Sequence, residues 1–179
     1  VDGFKHFSLA NISCTNALLT KTKETTAFLK DLNEQISKDD TANLYVIHGT
    51  PRLDTVGIDS ISYSASFLEL ISENNFTCSL EGAFPYFEIN DVIKSRIEKL
   101  GLKKVQVVPL LLVSGNHYIE DMFEIKDDLS DKFESFIVPS LTKSEKFNLI
   151  ELPMIQNIIE KNIQNTFKMM GISHKEITY

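Results

Sequence analysis

The 179-residue sequence has little cysteine, no long apolar run and no excess of basic charge, and each shortage excludes a class of protein. Cys14 and Cys78 match neither a CxxC motif nor a disulfide framework, so we expect two buried free thiols. The longest apolar stretch, Val107 to Val113, is too short to cross a bilayer. The net charge of −7 and the scattered lysines argue against a nucleic-acid surface. These shortages predict a cytoplasmic protein without a membrane or nucleic-acid partner.

Three common functional motifs are also missing from the chain. The sequence has no Gly-rich phosphate loop, which removes nucleotide binding by the usual loops. It has no GxSxG motif for serine hydrolysis and no CxxC motif for dithiol redox chemistry. We therefore expect no nucleotide and no resident cofactor, and metal or proton chemistry remains.

Apolar runs of strand and helix type alternate along the chain. The predicted strands are 42–47, 76–80, 105–113 and either 136–139 or 147–149, and the predicted helices are 20–36, 58–73, 87–100, 117–125, 127–136 and 153–170. Such alternation predicts an α/β fold of three layers, in which helices flank a mainly parallel four-stranded sheet of flavodoxin type. The length and the 42% apolar content favour one domain, residues 1–179. Pro109 is expected near a strand end, because proline removes a ladder hydrogen bond.

Three acid or base side chains each follow the end of a predicted strand: His48, Glu81 and His117. Each alone is more often structural than functional. Open α/β sheets, however, build their sites at the carboxyl ends of their strands, so the three loops are predicted to converge. Two imidazoles and a carboxylate can bind a divalent metal or move protons near neutral pH. His6 and His174 lack such a setting and are interpreted as surface residues.

The segments that carry these residues resemble a known family. Tyr-Val-Ile-His-Gly-Thr at 45–50, Leu-Glu-Gly-Ala-Phe-Pro at 80–85 and the segment 108–122 are similar to the anaerobic-pathway sirohydrochlorin cobaltochelatases, relatives of ferrochelatase. The segment 108–122 is the most specific, because it has Pro-Leu, a small residue, Gly and His, followed by Asp-Met. The resemblance covers about residues 42–170 and, less closely, Asn-Ala-Leu-Leu at 16–19.

The resemblance implies ATP-independent insertion of Co²⁺ into sirohydrochlorin in cobalamin biosynthesis, with Fe²⁺ or Ni²⁺ as the metal in relatives. The metal and the tetrapyrrole are both substrates. His48 would accept a proton and bind the metal, with Glu81 as its catalytic companion, and Glu81 and His117 would complete the metal site. Phe84, Tyr86 and Tyr118 are expected either to stack on the macrocycle or to pack as ordinary core or rim residues.

Members of this family usually have a further N-terminal α/β half that forms the other wall of the cleft, and nothing in these 179 residues corresponds to it. Residues 1–40 are therefore expected to be a segment and helix that continue from such a half. Either a homodimer or a separate half would complete the cleft. Two other hypotheses stay open: a non-catalytic carrier of metal or tetrapyrrole, and a generic metal-dependent hydrolase.

Overall fold

A computed structural model describes residues 13–55, 57–82, 84–113, 115 and 120–171 of the chain. Helices and strands alternate along it, and the four strands form one parallel sheet in the order β2-β1-β3-β4. In chain order the elements are α1 (Thr22–Ile36), β1 (Thr41–Gly49), α2 (Ile58–Ile71), β2 (Asn75–Glu81), α3 (Tyr86–Lys99), β3 (Lys104–Leu110), α4 (Asp121–Ser130), β4 (Glu134–Ile137), a 3₁₀ turn (Leu149–Glu151) and α5 (Pro153–Met169). The predicted three-layer α/β fold is confirmed.

Helices cover both faces of the sheet, and side-chain contacts identify which helix covers which face. Tyr45 of β1 donates a hydrogen bond to Asn33 of α1, and Thr77, its partner in β2, donates one to a carboxylate of α2. Phe76 points to the opposite face, where Arg96 of α3 lies over its ring. We call these the α1–α2 face and the α3–α4 face. Burial on both faces explains why residues 41–47 of β1 are all buried.

The core is a single apolar cluster between the sheet and its helices. Its largest fully buried side chains are Tyr45, Tyr86, Phe28, Phe76, Phe147, Leu29, Leu32, Leu44, Leu68, Ile97, Met122 and Ile125.

A buried network of amide side chains crosses the amino-terminal end of the sheet on the α1–α2 face. Asn43 Nδ2 donates to Asn75 Oδ1 over 2.7 Å, and Gln106 Nε2 donates to Asn43 Oδ1 over 2.5 Å. Asn33 Oδ1 accepts from Asn75 Nδ2 and from the Tyr45 hydroxyl, each over 2.8 Å. These five residues form the amide network. Because a slip of one residue would turn an amide to the other face, the network specifies the register of β2, β1 and β3.

The outer edge of β2 is covered by side chains from both helical layers. Glu69 of α2 accepts hydrogen bonds from the backbone N–H of Thr77 over 3.2 Å and from its hydroxyl over 2.8 Å. Arg96 of α3 reaches around the edge and donates to the other Glu69 oxygen over 2.9 Å. The carboxylate therefore binds the strand edge and ties the two layers together.

In the second half of the chain the structure differs from the prediction in two helices and in one strand end, and it decides between the two alternatives for the last strand. The predicted helices 117–125 and 127–136 are replaced by the single helix α4, because its buried residues Met122, Ile125 and Leu129 form one continuous helical face. The last strand is β4, near the predicted 136–139, whereas the alternative at 147–149 runs into the 3₁₀ turn. β3 ends at Leu110 instead of residue 113, since the next carbonyl groups accept hydrogen bonds from the 3₁₀ turn.

Of the smaller predictions, some are confirmed and others are wrong. Pro109 is the second-last residue of β3, as predicted. Cys78 is a buried free thiol, as predicted, but Cys14 is exposed. Helix α1 begins at Thr22 after Lys21, two residues later than predicted, and no side-chain hydrogen bond caps it. The opening segment 1–12, His6 and His174 lie outside the described residues. No helix of the described part is long and apolar enough to cross a membrane.

Candidate functional site

The carboxyl ends of β1 and β2 bring two of the predicted site residues to neighbouring positions. His48 is the second-last residue of β1, and Glu81 is the last residue of β2. Gly49 and Glu81 are register partners, and adjacent strands lie about 4.8 Å apart. Both His48 and Glu81 are exposed at this edge of the sheet. The predicted placement of these two residues at adjacent strand ends is therefore confirmed.

Two glycines allow the loops after β1 and β2 to pack backbone against backbone. Gly49 has a φ of 79°, and a Cβ atom there would lie 1.9 Å from the Glu81 carbonyl oxygen. Gly82 has a φ of 87°, and its Cβ would lie 1.8 Å from the Thr50 carbonyl oxygen. Only glycine combines this conformation with so close an approach. The pair therefore holds the strand end that carries His48 beside the strand end that carries Glu81.

Strand alternation shows where an ion shared by the two side chains would lie. Every second residue of a strand shares a face. Glu81 therefore belongs to the α1–α2 face with Thr77, whereas His48 belongs to the α3–α4 face with Leu44. An ion bound by both therefore sits above the carboxyl edge of the sheet and not against either face.

The third predicted ligand, His117, lies outside the described residues. β3 ends at Leu110, and the chain is next described without gaps from Glu120, the residue before α4. The sequence pattern therefore places His117 within the connection between β3 and α4. Among the residues that the structure describes, no group of three or more His, Cys, Asp or Glu side chains is arranged to hold a metal ion. The role of His117 stays a prediction.

An apolar cleft of about 280 Å³ opens at the carboxyl end of the sheet, on the α1–α2 face. It lies at the point where the strand order reverses between β1 and β3, which is where open α/β sheets bind their ligands. Its apolar wall includes Leu18, Leu19, Phe28, Ile47, Leu110 and Leu149. Ile47 directly precedes His48, so the cleft adjoins the strand end that carries the imidazole.

The wall on the β3 side is held by a carboxylate outside the predicted site. Glu151 accepts hydrogen bonds from Thr142 over 2.5 Å, from Asn148 over 2.7 Å and from Ser144. The bonds from Ser144, Thr142 and Asn148 lower the pKa of the Glu151 carboxyl. They fix the loop that presents Leu149 to the cleft. Sequence reasoning missed this residue, because its donors come from a loop without apolar periodicity.

Of the aromatic residues considered for the macrocycle, Tyr86 belongs to the core. It is 1% exposed, and its hydroxyl donates to Asp128 of α4 over 2.7 Å. The packing alternative is thus the one that holds for Tyr86. Phe84 is partly exposed in the loop after Glu81, and Tyr118 lies outside the described residues.

Comparisons with known proteins agree with this geometry. No curated protein sequence matches the chain significantly. Among solved structures, a cobalamin (vitamin B12) biosynthesis CbiX protein from Marinobacter aquaeolei VT8 matches with a TM-score of 0.53 and 18% identity. The match covers 72% of this chain and 98% of that one, and it shows a shared fold. Residues 5–168 match the family described as cobalt chelatase (CbiK), which is most of the chain. The predicted family is confirmed: the chain belongs to the cobalt chelatase (CbiK) family.

Proposed function

We propose that this protein inserts a divalent metal, Co²⁺ in particular, into sirohydrochlorin during cobalamin biosynthesis, without ATP. The observation that carries the proposal is the pairing of the His48 and Glu81 strand ends beside an apolar cleft. Membership of the cobalt chelatase family supports the reaction class. The compartment that we propose is the cytoplasm.

The residue types suit the two events of metal insertion. Insertion removes two pyrrole N–H protons while a partly desolvated ion is transferred, and a neutral imidazole can accept a proton or bind the ion at pH 7. His48 Nδ1 lies 3.3 Å from the Gly49 carbonyl oxygen. If the proton is on Nδ1, facing that oxygen, Nε2 is the basic nitrogen of the ring, the type of atom that binds a metal or accepts a proton. In this proposal Glu81 offsets the charge of the ion, and His117 completes its ligands.

The size of the cleft supports a shared substrate site. Ligand pockets usually enclose about 300–1,000 Å³, and this cleft, at about 280 Å³, holds only part of a tetrapyrrole. Leu112, Val113 and Ile150, which follow the cleft residues Leu110 and Leu149 in the chain, are exposed apolar side chains. We propose that a second copy of the chain, or an N-terminal α/β half, covers the rest of the macrocycle. The match to the solved CbiX chain covers 98% of that chain, which supports a site built around single α/β units of this kind.

The test is a visible-absorption time course of sirohydrochlorin with Co²⁺ and catalytic amounts of the protein. We expect more than one equivalent to be converted by the wild type, and little conversion by His48→Ala, Glu81→Gln or His117→Ala. Glu73→Gln is the matched control for Glu81→Gln, because Glu73 lies in the turn before β2, at the opposite end of that strand. Sedimentation of the same samples reports whether the active species is a dimer.

The outcome also decides between an enzyme and a carrier. A shifted spectrum that stops at one equivalent would favour the carrier hypothesis over the chelatase. Wild-type rates in all three site variants would refute the assignment of these residues, even if the wild type turns over.

A further inference from the structure

One carboxylate oxygen on α4 collects three hydrogen-bond donors from α3. Asp128 Oδ2 accepts from the Tyr86 hydroxyl over 2.7 Å, from Asn90 Nδ2 over 3.2 Å and from Lys94 Nζ over 2.8 Å. The three donors are spaced by four residues and therefore lie along one side of α3. We call these four residues the α3–α4 clamp.

Tyr86 and Lys94 of the clamp are buried, whereas Asn90 is partly exposed and the Asp128 side chain is 25% exposed. Tyr86 is 1% exposed and Lys94 is 6% exposed. Burial opposes ionisation of Asp128, but the hydrogen bonds from Lys94, Tyr86 and Asn90 outweigh it and hold the pKa of this carboxyl below its usual value. Asp128 is thus charged at neutral pH and pairs with the buried ammonium group. A buried charge that loses its partner is strongly destabilising, so the clamp favours a single alignment of the two helices.

Each of the two helices follows a proposed metal ligand closely in the chain. Helix α3 begins at Tyr86, five residues after Glu81, and helix α4 begins at Asp121, four residues after His117. Tyr86 is therefore both the first residue of α3 and the clamp residue nearest to the Glu81 loop. Any shift of α4 along α3 would move Asp121, four residues from His117 in the chain, relative to Tyr86, five residues from Glu81.

A second ion pair joins the same helices but has none of these properties. Lys132, just after α4, lies 3.1 Å from the carboxylate of Glu98 in the last turn of α3. Both side chains are about half exposed, at 48% and 47%, and exposed pairs of this kind contribute little. This pair lies at the far end of α3 from the site, which makes it a natural control.

We propose that the α3–α4 clamp is a positioning device for the metal site, in which Lys94 and Asp128 set metal affinity and insertion rate without touching the ion. The inference rests on the proposed function, because it takes Glu81 and His117 as metal ligands. Ligand geometry in metal sites depends on the groups that hold the ligands in place, and remote networks of this kind also modulate binding.

The experiment compares Lys94→Met with Lys132→Met. Both changes remove an ammonium group from an α3–α4 ion pair and keep an unbranched side chain. We would measure the Kd for Co²⁺ by calorimetry, the visible spectrum of protein-bound Co²⁺, and the insertion rate per folded molecule. Lys94→Met is expected to weaken Co²⁺ binding by about threefold to thirtyfold and to shift the bound-Co²⁺ bands. Lys132→Met is expected to leave all three measurements unchanged.

Two further variants separate positioning from simple stability. In the double variant Lys94→Met/Asp128→Asn no buried charge is left unpaired, so stability is expected to recover in part while Co²⁺ affinity stays low. Tyr86→Phe removes one hydrogen bond only, and it is expected to shift affinity in the same direction by a smaller factor. It keeps the test decisive if Lys94→Met does not fold.

The outcomes are distinguishable. If Lys94→Met and Tyr86→Phe lose stability but bind Co²⁺ with wild-type affinity and spectrum, the clamp is only a helix contact and the inference is overturned. A wild-type protein that neither binds nor inserts Co²⁺ overturns the proposed function, and the positioning role with it.

Discussion

Removing the amide of Asn43 tests whether the amide network stabilises the sheet. Asn43 is fully buried and makes three side-chain hydrogen bonds: to Asn75 over 2.7 Å, to Ser37 over 2.9 Å and from Gln106 over 2.5 Å. In Asn43→Ala all three are lost. Gln106 keeps its bond to the Ile36 carbonyl oxygen over 2.8 Å, but Asn75 Oδ1 loses the bond from Asn43 inside the core.

The expected loss follows from the number of bonds. Each of the three hydrogen bonds contributes about 0.5–1 kcal/mol net, and the Asn75 acceptor that loses its donor adds a desolvation penalty of about 1 kcal/mol, so we expect a loss of about 3–4 kcal/mol. For a protein of this size that corresponds to a fall in Tm of about 6–16 °C. The assay is urea unfolding followed by circular dichroism, with the slope unchanged if only stability is altered.

Asn74→Ala is the matched control. Asn74 precedes Asn75 in the chain, and its side chain makes a single exposed bond, to the Asp39 carbonyl oxygen over 3.1 Å. Its loss is expected to change stability by less than about 1 kcal/mol. If Asn43→Ala is no more destabilising than Asn74→Ala, the network does not hold the strands and the reasoning is refuted.

Two more predictions concern the site loops and the clamp. Gly49→Ala is expected to lower the Tm several times more than Gly101→Ala. Both glycines have a positive φ, 79° and 73°, but of the two only residue 49 would place its Cβ against backbone, 1.9 Å from the Glu81 carbonyl oxygen. Equal shifts in thermal unfolding would contradict the close approach of the two loops. The pKa of Asp128 is lowered in the folded protein, so its carboxylate stabilises the fold fully at pH values above the unfolded-state pKa of about 3.9. This contribution is lost as the pH falls through the native pKa. The stability difference between wild type and Asp128→Asn, followed by urea unfolding from pH 7 to pH 3, should therefore shrink below about pH 4. A constant difference would exclude the charged clamp.

The first half of the fold was predictable because its local signals are strong. Helices α1 to α3 and strands β1 and β2 end within two residues of the positions that their apolar periods indicate. In the second half, the sequence predicts that a second helix begins at residue 127. The structure instead has one helix, because one apolar face continues from Met122 to Leu129. The conformation of the loop before α5 depends on hydrogen bonds to Glu151. Local sequence patterns do not predict these hydrogen bonds.

The candidate site was predictable in part for the same reason. The positions of His48 and Glu81 at strand ends follow from strand boundaries and from the rule that parallel strands end at one edge. The cleft joins Leu18, Leu110 and Leu149, which are far apart in the sequence, so no periodicity links them. The clamp was missed because its donors repeat on α3 while their acceptor belongs to another helix.

The covered edge of β2 limits how copies of this protein can associate. An uncovered edge strand is a template on which a neighbouring chain can add a strand, and such growth leads to open-ended aggregates. Here the N–H of Thr77 is already bound to Glu69, and Arg96 lies across the same carboxylate. A partner that docks on this side would have to displace a charged pair before it gained a single ladder bond. Self-association by extension of the sheet at β2 is thereby disfavoured.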